Sequence, residues 1–276
     1  MIEVIKMVLK CSIADETKVL SYIGKDYAKC LYLYLDLKKY GIGSDEIELF
    51  IQENDNKETT AVLLRYYSCI HVYSAENTFN VVELACFIEK HRFSMVYCTA
   101  QTANLIYKAL SSRILDSATL STGWVAQINA VDKAPQGLST MAQDDDFEQI
   151  VQLIYEDDDI GRSYKYDELA HQLRERNRSG YTRNMVIKDG DIVIAHACTN
   201  AELDNVAVVA ELLVHKDYRR KGYASEIWRD ICGRLLNENK EVYSFYYSDE
   251  SRALHKKLGF SEVCEWAKIV FSSDTE

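Results

Sequence analysis

Two features are scarce in this sequence: paired cysteines and long apolar runs. The eight cysteines form no Cys-x-x-Cys pair, and most lie in apolar segments. This distribution predicts buried thiols in a reducing compartment and argues against a disulfide framework or a zinc site. No apolar run approaches the ~18 residues needed to cross a bilayer. The N-terminal stretch carries Glu3 and lacks the apolar core of a signal peptide, so we expect a cytoplasmic protein with no membrane association.

Positive charge is also in the minority. The chain has 32 lysines and arginines against 43 aspartates and glutamates, which gives a formal net charge of -11. An acidic surface repels polyanions, so we expect no nucleic-acid partner. Against this background, four cations gather between Lys216 and Lys221 in the stretch HKDYRRKGYASE. A local cationic stretch on an acidic protein suggests a binding site for a small anion.

The single proline, Pro135, lies where the periodic apolar pattern lapses. Turn-forming and acidic residues gather around it, which predicts a linker at 132–143. A chain of 276 residues is long enough for two domains. We therefore predict an N-terminal domain at 1–131 and a C-terminal domain at 144–276.

Beyond the linker, the spacing of apolar residues predicts alternating groups of helices and strands. Helices are expected at 147–155, 166–177, 222–236 and in the segment ending LHKKLGF, and strands at 182–188, 191–199, 206–214, 242–247 and 262–271. The turn KDGD at 188–191 predicts a hairpin. The first half follows a similar order if LYLYLDL at 31–37 is a helix, although its alternation also allows a strand. With the helix, the two halves share one element order, which suggests an internal repeat of fold.

The cationic stretch lies between a predicted strand and a predicted helix that opens at Gly222. The first N–H groups of a helix lack intrahelical partners and carry partial positive charge, which suits a phosphate. Gly222 and the small Ala224 allow the backbone to approach a ligand closely. P-loop and Rossmann motifs are absent from the sequence, so those sites are poorer alternatives. The remaining alternative is a surface loop decorated with basic residues.

The pattern Arg219-x-x-Gly222-x-Ala224, after a strand ending in LLV, resembles the acetyl-CoA signature of the GNAT superfamily of N-acetyltransferases. The stretch SRALHKKLGF at 251–260 is similar to the helix and KLGF ending of that fold. The resemblance implies an α/β (α+β) fold of two tandem GNAT-like domains, each a mixed, mostly antiparallel sheet flanked by helices. In the first half the matching loop, AENTFNVVEL at 75–84, is acidic and lacks glycine, so we expect a degenerate domain without a phosphate cradle.

The resemblance also implies acetyl-CoA as the acyl donor. It assigns the pantetheine arm to the backbone of residues 212–214 and the diphosphate to the backbone amides of residues 219–224. Ser248 lies where relatives often carry an asparagine that contacts the cofactor arm, and helix capping explains it equally well. The cofactor-binding candidates are Leu212, Leu213, Val214, Arg219, Arg220, Lys221, Gly222, Tyr223, Ala224 and Ser248.

Acetyl transfer to an amine needs a base, since an alkyl amine with a pKa near ~10.4 is mostly protonated at neutral pH. The departing thiolate needs a proton donor. The resemblance places that donor at His255, where relatives have a tyrosine; a capping or surface role is the alternative. Tyr247 is a further candidate. Glu211, the only charge in 206–214, is the candidate base, with a solvent-facing strand-end role as its alternative.

We also expect His196 to be a satisfied core histidine, and we expect no metal site. The sequence therefore predicts an N-acetyltransferase that moves an acetyl group by direct attack to a primary amine of a small molecule or peptide. Cys232, inside a predicted helix, is expected to be buried and not nucleophilic. The alternative is a non-catalytic acyl-CoA-binding sensor or interaction module.

Overall fold

The structure, a computed structural model, describes residues 8–157 and 166–272. The chain divides into two compact units, Met1–Val125 with Val263–Glu276, and Ala126–Glu262. The sequence prediction differs from this division, because it kept the whole C-terminal segment in the second domain. The physical reason is that the last strand makes its ladder with a strand of the first unit, from Trp266 opposite Thr99 to Val270 opposite Met95.

The helices and strands follow the predicted order with a few additions. Up to the end of the sixth strand they are β1 (Val8–Lys10), α1 (Glu16–Ile23), α2 (Tyr27–Tyr40), β2 (Ile47–Glu53), β3 (Thr59–Tyr66), β4 (Cys69–Tyr73), α3 (Val81–His91), β5 (Met95–Thr99), α4 (Ala100–Ala109), α5 (Ser112–Leu115) and β6 (Ala118–Ile128). After it come β7 (Ser139–Met141), α6 (Phe147–Tyr155), α7 (Tyr166–Arg178), β8 (Asn184–Asp189), β9 (Ile192–Glu202), β10 (Val206–Val214), α8 (Tyr223–Asn237), β11 (Glu241–Tyr246), α9 (Asp249–Lys257) and β12 (Ser261–Phe271).

In the first unit, β1 to β4 are antiparallel neighbours, β4 and β5 run parallel, and β12 pairs with β5. The stretch LYLYLDL lies within α2, so the helical alternative is the correct one. Its leucines Leu31, Leu33, Leu35 and Leu37 are all buried. This helix is apolar on most of its surface. The alternation of leucine with other residues in its sequence therefore does not indicate the two-residue period of a strand.

In the second unit, β7 to β10 are antiparallel neighbours and β10 runs parallel to β11. The strand β7 lies inside the predicted linker 132–143, because Ser139 pairs with Ile187 of β8. The predicted hairpin at 188–191 is present, with Gly190 at a φ of 59°. Apolar side chains of α6 and α7 pack against Val186, Val193 and Leu213 of the sheet. These helices therefore cover the sheet face that carries the C-terminal end of β10.

The two units share one order of elements. Three antiparallel strands lead into a helix, a parallel strand and a second helix, as β2–β3–β4–α3–β5–α4 in one unit and β8–β9–β10–α8–β11–α9 in the other. This confirms the predicted repeat of fold. None of the described helices is long and apolar enough to span a bilayer. All eight cysteines are free thiols, four of them buried and Cys86 exposed.

Candidate active site

The N-terminus of α8 is open for an anion. Gly222, at its N-cap, has a φ of 94°, a conformation that favours glycine. The first backbone bond of the helix runs from the Glu226 N–H to the Gly222 carbonyl at 3.1 Å. Within the described residues, the N–H groups of Tyr223, Ala224 and Ser225 have no backbone acceptor. These donors lie at the positive end of a 15-residue helix, so they can bind a phosphate without further rearrangement.

The space beside the Gly222 Cα is also open. A Cβ built on Gly222 would meet no heavy atom within 4 Å. A side chain at this position would therefore project into the space from which a ligand reaches the helix N-terminus.

Tyr218 holds the cationic loop in place through contacts with Asp189 and Lys221. The Tyr218 hydroxyl donates to Asp189 Oδ2 at 2.7 Å. The Lys221 ammonium lies 4.8 Å from the centre of the Tyr218 ring, which is within range of a cation–π interaction. The loop is thus fixed to the β8–β9 hairpin and keeps Lys221 next to the helix N-terminus.

Arg219 links the loop to the end of β10. Its Nε donates to the Val214 carbonyl at 3.1 Å, and its Nη2 lies 3.6 Å from Asp157 Oδ2. The Arg219 side chain is 58% exposed. A cleft of about 40 Å³ opens here, lined by residues at the end of α6 and the end of β10, among them Glu156, Asp157, Leu213 and Val214. An acidic wall and a cationic wall therefore face the same small space.

A bulge interrupts the ladder between β9 and β10 just before this cleft. Ala210 lies opposite Cys198 and Leu213 lies opposite His196, so two residues of β10 oppose one of β9. Glu211 has a φ of 52°, which is unusual for a residue with a side chain and marks local strain. Bulges of this kind redirect side chains and are over-represented beside active sites.

The bulge turns the Glu211 carboxylate toward Cys198, whose thiol donates to Glu211 Oε2 at 3.4 Å. Burial raises the pKa of the Glu211 carboxyl above its ordinary value, while the Cys198 thiol and the charge of Arg176 oppose the shift. A carboxylate with a raised pKa is suited to accept a proton from a substrate.

Sequence comparison identifies the fold that carries this loop and bulge. Residues 145–260 match the sequence model of the acetyltransferase (GNAT) family. This segment is a GNAT acyltransferase domain. Comparison with curated proteins gave no significant match.

Solved structures resemble the whole chain. A Drosophila protein from a structural genomics consortium has 11% identity, covers 97% of this chain and 99% of its own, and has a TM-score of 0.69. A GNAT acetyltransferase from Colwellia psychrerythraea has 13% identity, covers 96% and 99%, and has a TM-score of 0.62. A tandem GNAT protein from the clavulanic acid biosynthesis pathway has 11% identity, covers 98% and 99%, and has a TM-score of 0.58. At these identities the likeness shows the fold, and it extends over both units.

In the GNAT domain, His255 lies in a structural environment. It is 7% exposed. Its Nδ1 donates to the Ser251 carbonyl at 2.7 Å and its Nε2 lies 2.8 Å from Ser244 Oγ. Trp228, Tyr246 and Phe260 pack around the ring, and burial lowers the pKa of the imidazole. Both nitrogens are engaged inside the fold, so the geometry does not favour His255 as the acid that the sequence suggested.

The two tyrosines at the end of β11 differ in their surroundings. Tyr246 is buried and its hydroxyl donates to Glu262 Oε1 at 2.6 Å. Burial, with the help of this carboxylate, raises the pKa of Tyr246. Tyr247 is 42% exposed. Next to it, Ser248 is the N-cap of α9, and its Oγ accepts the Ser251 N–H at 3.2 Å. An acceptor role leaves the Ser248 hydroxyl proton available to a ligand.

His196 is fully buried, and only one of its nitrogens has a hydrogen-bond partner. Its Nε2 lies 3.0 Å from Asn184 Oδ1, whereas its Nδ1 has no hydrogen-bond partner. Burial lowers the pKa of His196 to about 3, with the nearby main chain of Glu211 opposing the shift. Sequence reasoning missed Cys198 as a neighbour of Glu211 and Asn184 as the partner of His196. The period of a strand does place His196 and Cys198 on one face, but it does not say which face or what lies across it.

The matching helix in the first unit, α3, begins differently. Its N-cap Asn80 accepts the Glu83 N–H through its own side chain at 3.2 Å and donates its N–H to Gln52 Oε1 at 2.7 Å. Glu83 adds a negative charge in the first turn. A helix start that is already capped and acidic is a poor phosphate site.

Proposed function

We propose that the GNAT domain moves an acetyl group from acetyl-CoA to a primary amine by direct attack. The observation that carries this proposal is the open, glycine-capped N-terminus of α8, with three N–H donors in its first turn. At the start of α3, by contrast, the side chain of the N-cap Asn80 already accepts the Glu83 N–H.

The cofactor would lie along the end of β10 and across the loop. In this proposal the amides of residues 219–224 bind the diphosphate, with Arg220 and Lys221 adding positive charge. The bulge leaves Glu211 and Leu212 without a partner in the ladder with β9, which resumes at Leu213 opposite His196. In this proposal the backbone of residues 212–214 binds the pantetheine arm. Arg219 exchanges Asp157 for the diphosphate, because two phosphate groups offer more negative charge than one carboxylate.

The chemistry uses groups near the C-terminal ends of the two parallel strands, β10 and β11. Glu211 takes a proton from the substrate ammonium, directly or through water, and the neutral amine attacks the thioester carbonyl. The carbon–sulfur bond of the thioester breaks as the amide forms, and Tyr247 donates a proton to the departing thiolate. The attacking nitrogen then releases its second proton, through water, to the Tyr247 phenolate. Cys232 takes no part, since it is fully buried in α8 and burial raises the pKa of its thiol.

The first test compares two glycine variants. Gly222→Val and Gly180→Val both place a side chain at a positive φ with open space around it, so both cost about 1–2 kcal/mol of backbone strain. We expect calorimetry to show at least tenfold weaker CoA binding for Gly222→Val, and less than twofold for Gly180→Val. Equal binding by both variants would contradict the assignment of the α8 loop.

A second candidate function is a sensor that binds acyl-CoA without turnover. The observation in its favour is His255, whose two nitrogens are engaged inside the fold. Turnover of acetyl-CoA with a panel of small amines and N-terminal peptides distinguishes the two. Amide formation on any of them supports the enzyme, and CoA binding without turnover on the whole panel supports the sensor.

The cysteine chemistry bears on where the protein works. All eight thiols are free, and Cys86 is exposed, a state that persists in a reducing compartment. We accordingly propose a cytoplasmic location.

A further inference from the structure

Three side chains with metal-ligating atoms meet at the bulge of β10. Within the described residues, one ligand atom each from His196, Cys198 and Glu211 lies within 4.8 Å of the other two. His196 and Cys198 come from one face of β9, and Glu211 reaches them because the bulge shifts the register of β10. Nitrogen, thiolate and carboxylate oxygen are the three ligand types that zinc accepts in proteins.

The spacing of two of these groups already fits a metal. Cys198 Sγ and Glu211 Oε2 are 3.4 Å apart. Zinc bonds of about 2.3 Å to sulfur and about 2.1 Å to oxygen, at the tetrahedral angle, separate their ends by about 3.6 Å. No pair of these ligand atoms is more than 4.8 Å apart, so the widest pair needs to close by about 1 Å at most to reach the separation of zinc ligands.

His196 is oriented as metal-binding histidines are. Asn184 Oδ1 can only accept, so the His196 Nε2 that lies 3.0 Å away carries the proton. That tautomer leaves a lone pair on Nδ1, and Nδ1 is buried without a hydrogen-bond partner. A metal-bound histidine commonly donates its other N–H to an oxygen of this kind. An unsatisfied buried nitrogen is costly, and a bound cation would satisfy it.

The charges also balance. A thiolate and a carboxylate together carry the two negative charges that neutralise one divalent cation, while the imidazole stays neutral. Binding releases the Cys198 thiol proton to solvent, and no group is oxidised or reduced. The soft sulfur and the borderline nitrogen favour zinc and its neighbours over magnesium or calcium.

We propose that His196, Cys198 and Glu211 form a three-ligand site for Zn²⁺, with Asn184 as the group that orients His196. The fourth position is left to water or a ligand. This site goes beyond acetyl transfer. One consequence rests on the proposed function: a cation on Glu211 removes the base, so Zn²⁺ inhibits the reaction.

The test uses Co²⁺ as a spectroscopic substitute for Zn²⁺ on the full chain, after removal of metals with a chelator under reducing conditions. We expect a thiolate-to-cobalt charge-transfer band that saturates at one Co²⁺ per chain. One equivalent of Zn²⁺ should abolish it, because zinc binds such sites more tightly than cobalt. Absence of the band in the wild-type chain overturns the proposal.

Variants locate the band. Cys198→Ser should abolish it and weaken Zn²⁺ binding at least tenfold, whereas Cys232→Ser, at another fully buried cysteine of the same unit, should leave both unchanged. Asn184→Ala should keep the band at saturation but weaken binding by about 10- to 100-fold. A band that survives Cys198→Ser belongs to another thiol and overturns the site. Circular dichroism confirms that each variant is folded.

The cobalt titration does not depend on catalysis, so it separates the metal site from the enzyme. Zn²⁺ should inhibit acetyl transfer by the wild-type chain and by Cys232→Ser at the concentration that fills the site, and Cys198→Ser should need at least tenfold more. If the chain turns over no amine, the proposed function fails while a cobalt band still supports the site.

Discussion

At the scale of single residues, Glu211 combines a strained backbone with a half-buried carboxyl group. Its φ of 52° lies in the bulge of the ladder between β9 and β10. The same backbone kink directs its carboxylate to Cys198, so the strained backbone determines where the carboxylate lies. Residues held in rare conformations concentrate at functional sites, and here the strained residue is also the one whose pKa burial raises.

Cys198 is expected to set the pH at which Glu211 acts. The Cys198 thiol favours the ionised carboxylate, so Cys198→Ala should raise the pKa of Glu211 further. Because the base must be ionised, the rate rises as the pH passes upward through that pKa, and the acidic limb of kcat/KM should move to higher pH. On that limb we expect kcat/KM to fall by about two- to fivefold, which corresponds to the loss of a weak hydrogen bond.

Cys198→Ser provides the matched comparison, since a hydroxyl is a stronger donor of similar size. Its acidic limb should lie at lower pH than that of Cys198→Ala. The pH profile of kcat/KM measures both, with Cys232→Ser as the control. Coincident limbs for the alanine and serine variants would show that Cys198 does not act on the base.

At the scale of elements, the two units use the starts of their helices differently. In α8 the N-cap is Gly222, which has no side chain to satisfy the first amides. In α3 and α9 the N-caps are Asn80 and Ser248, whose side chains accept an amide of the first turn. The start of α8 therefore keeps its first amides available to a ligand, whereas the acidic start of α3 uses one of its amides in its own cap.

The caps allow a test of Ser248. Asn80→Ala and Ser248→Ala each remove one N-cap and should each lower the free energy of unfolding by about 1 kcal/mol. If the Ser248 hydroxyl also donates to the cofactor arm, Ser248→Ala should weaken CoA binding by a further two- to tenfold, on the order of one hydrogen bond. Calorimetry with CoA gives the difference between the variants, and an equal affinity for both assigns Ser248 to capping alone.

At the scale of the whole molecule, each unit contains a fully buried, neutral histidine. Burial lowers the pKa of His71 in the first unit to about 4 and that of His196 in the second to about 3. An unfolded histidine has a pKa of about 6.5. The stability linked to these groups is therefore complete above that value, and it is lost as the pH falls toward the folded values.

We expect each unit to lose about 2 kcal/mol of unfolding free energy between pH 7 and pH 5, since a histidine that stays neutral only in the folded state contributes about 1.4 kcal/mol per pH unit in this window. Urea denaturation at the two pH values measures the loss. Glu211 opposes it in the second unit, because its raised pKa favours the folded state at low pH. The first unit is therefore the cleaner case.

His71→Phe is the control variant for the first unit. Phenylalanine retains a ring to stack on Tyr97, whose ring centre lies 5.1 Å from that of His71, and it cannot be protonated. In this variant the free energy of unfolding of the first unit should change little between pH 7 and pH 5. An unchanged pH dependence would mean that groups other than His71 govern acid unfolding.

The local features of this protein could be read from its sequence. Arg219, Gly222 and Ala224 lie within six residues, so their order along the chain was enough to predict the helix start at Gly222 that the structure shows. Apolar periodicity likewise predicted the helices and strands of both units. It failed for β7, where three residues of the predicted linker pair with β8, because a strand so short has too little periodicity to recognise.

What the sequence by itself determined is therefore the repeat of elements and the loop before α8, since both follow from neighbours along the chain. What only the tertiary structure decided is the meeting of His196, Cys198 and Glu211, the internal bonding of His255, and the pairing of the C-terminal strand with the first unit. These depend on strand register and on the direction in which a bulge turns a side chain. Register is set by packing across the sheet, between residues that are distant in sequence.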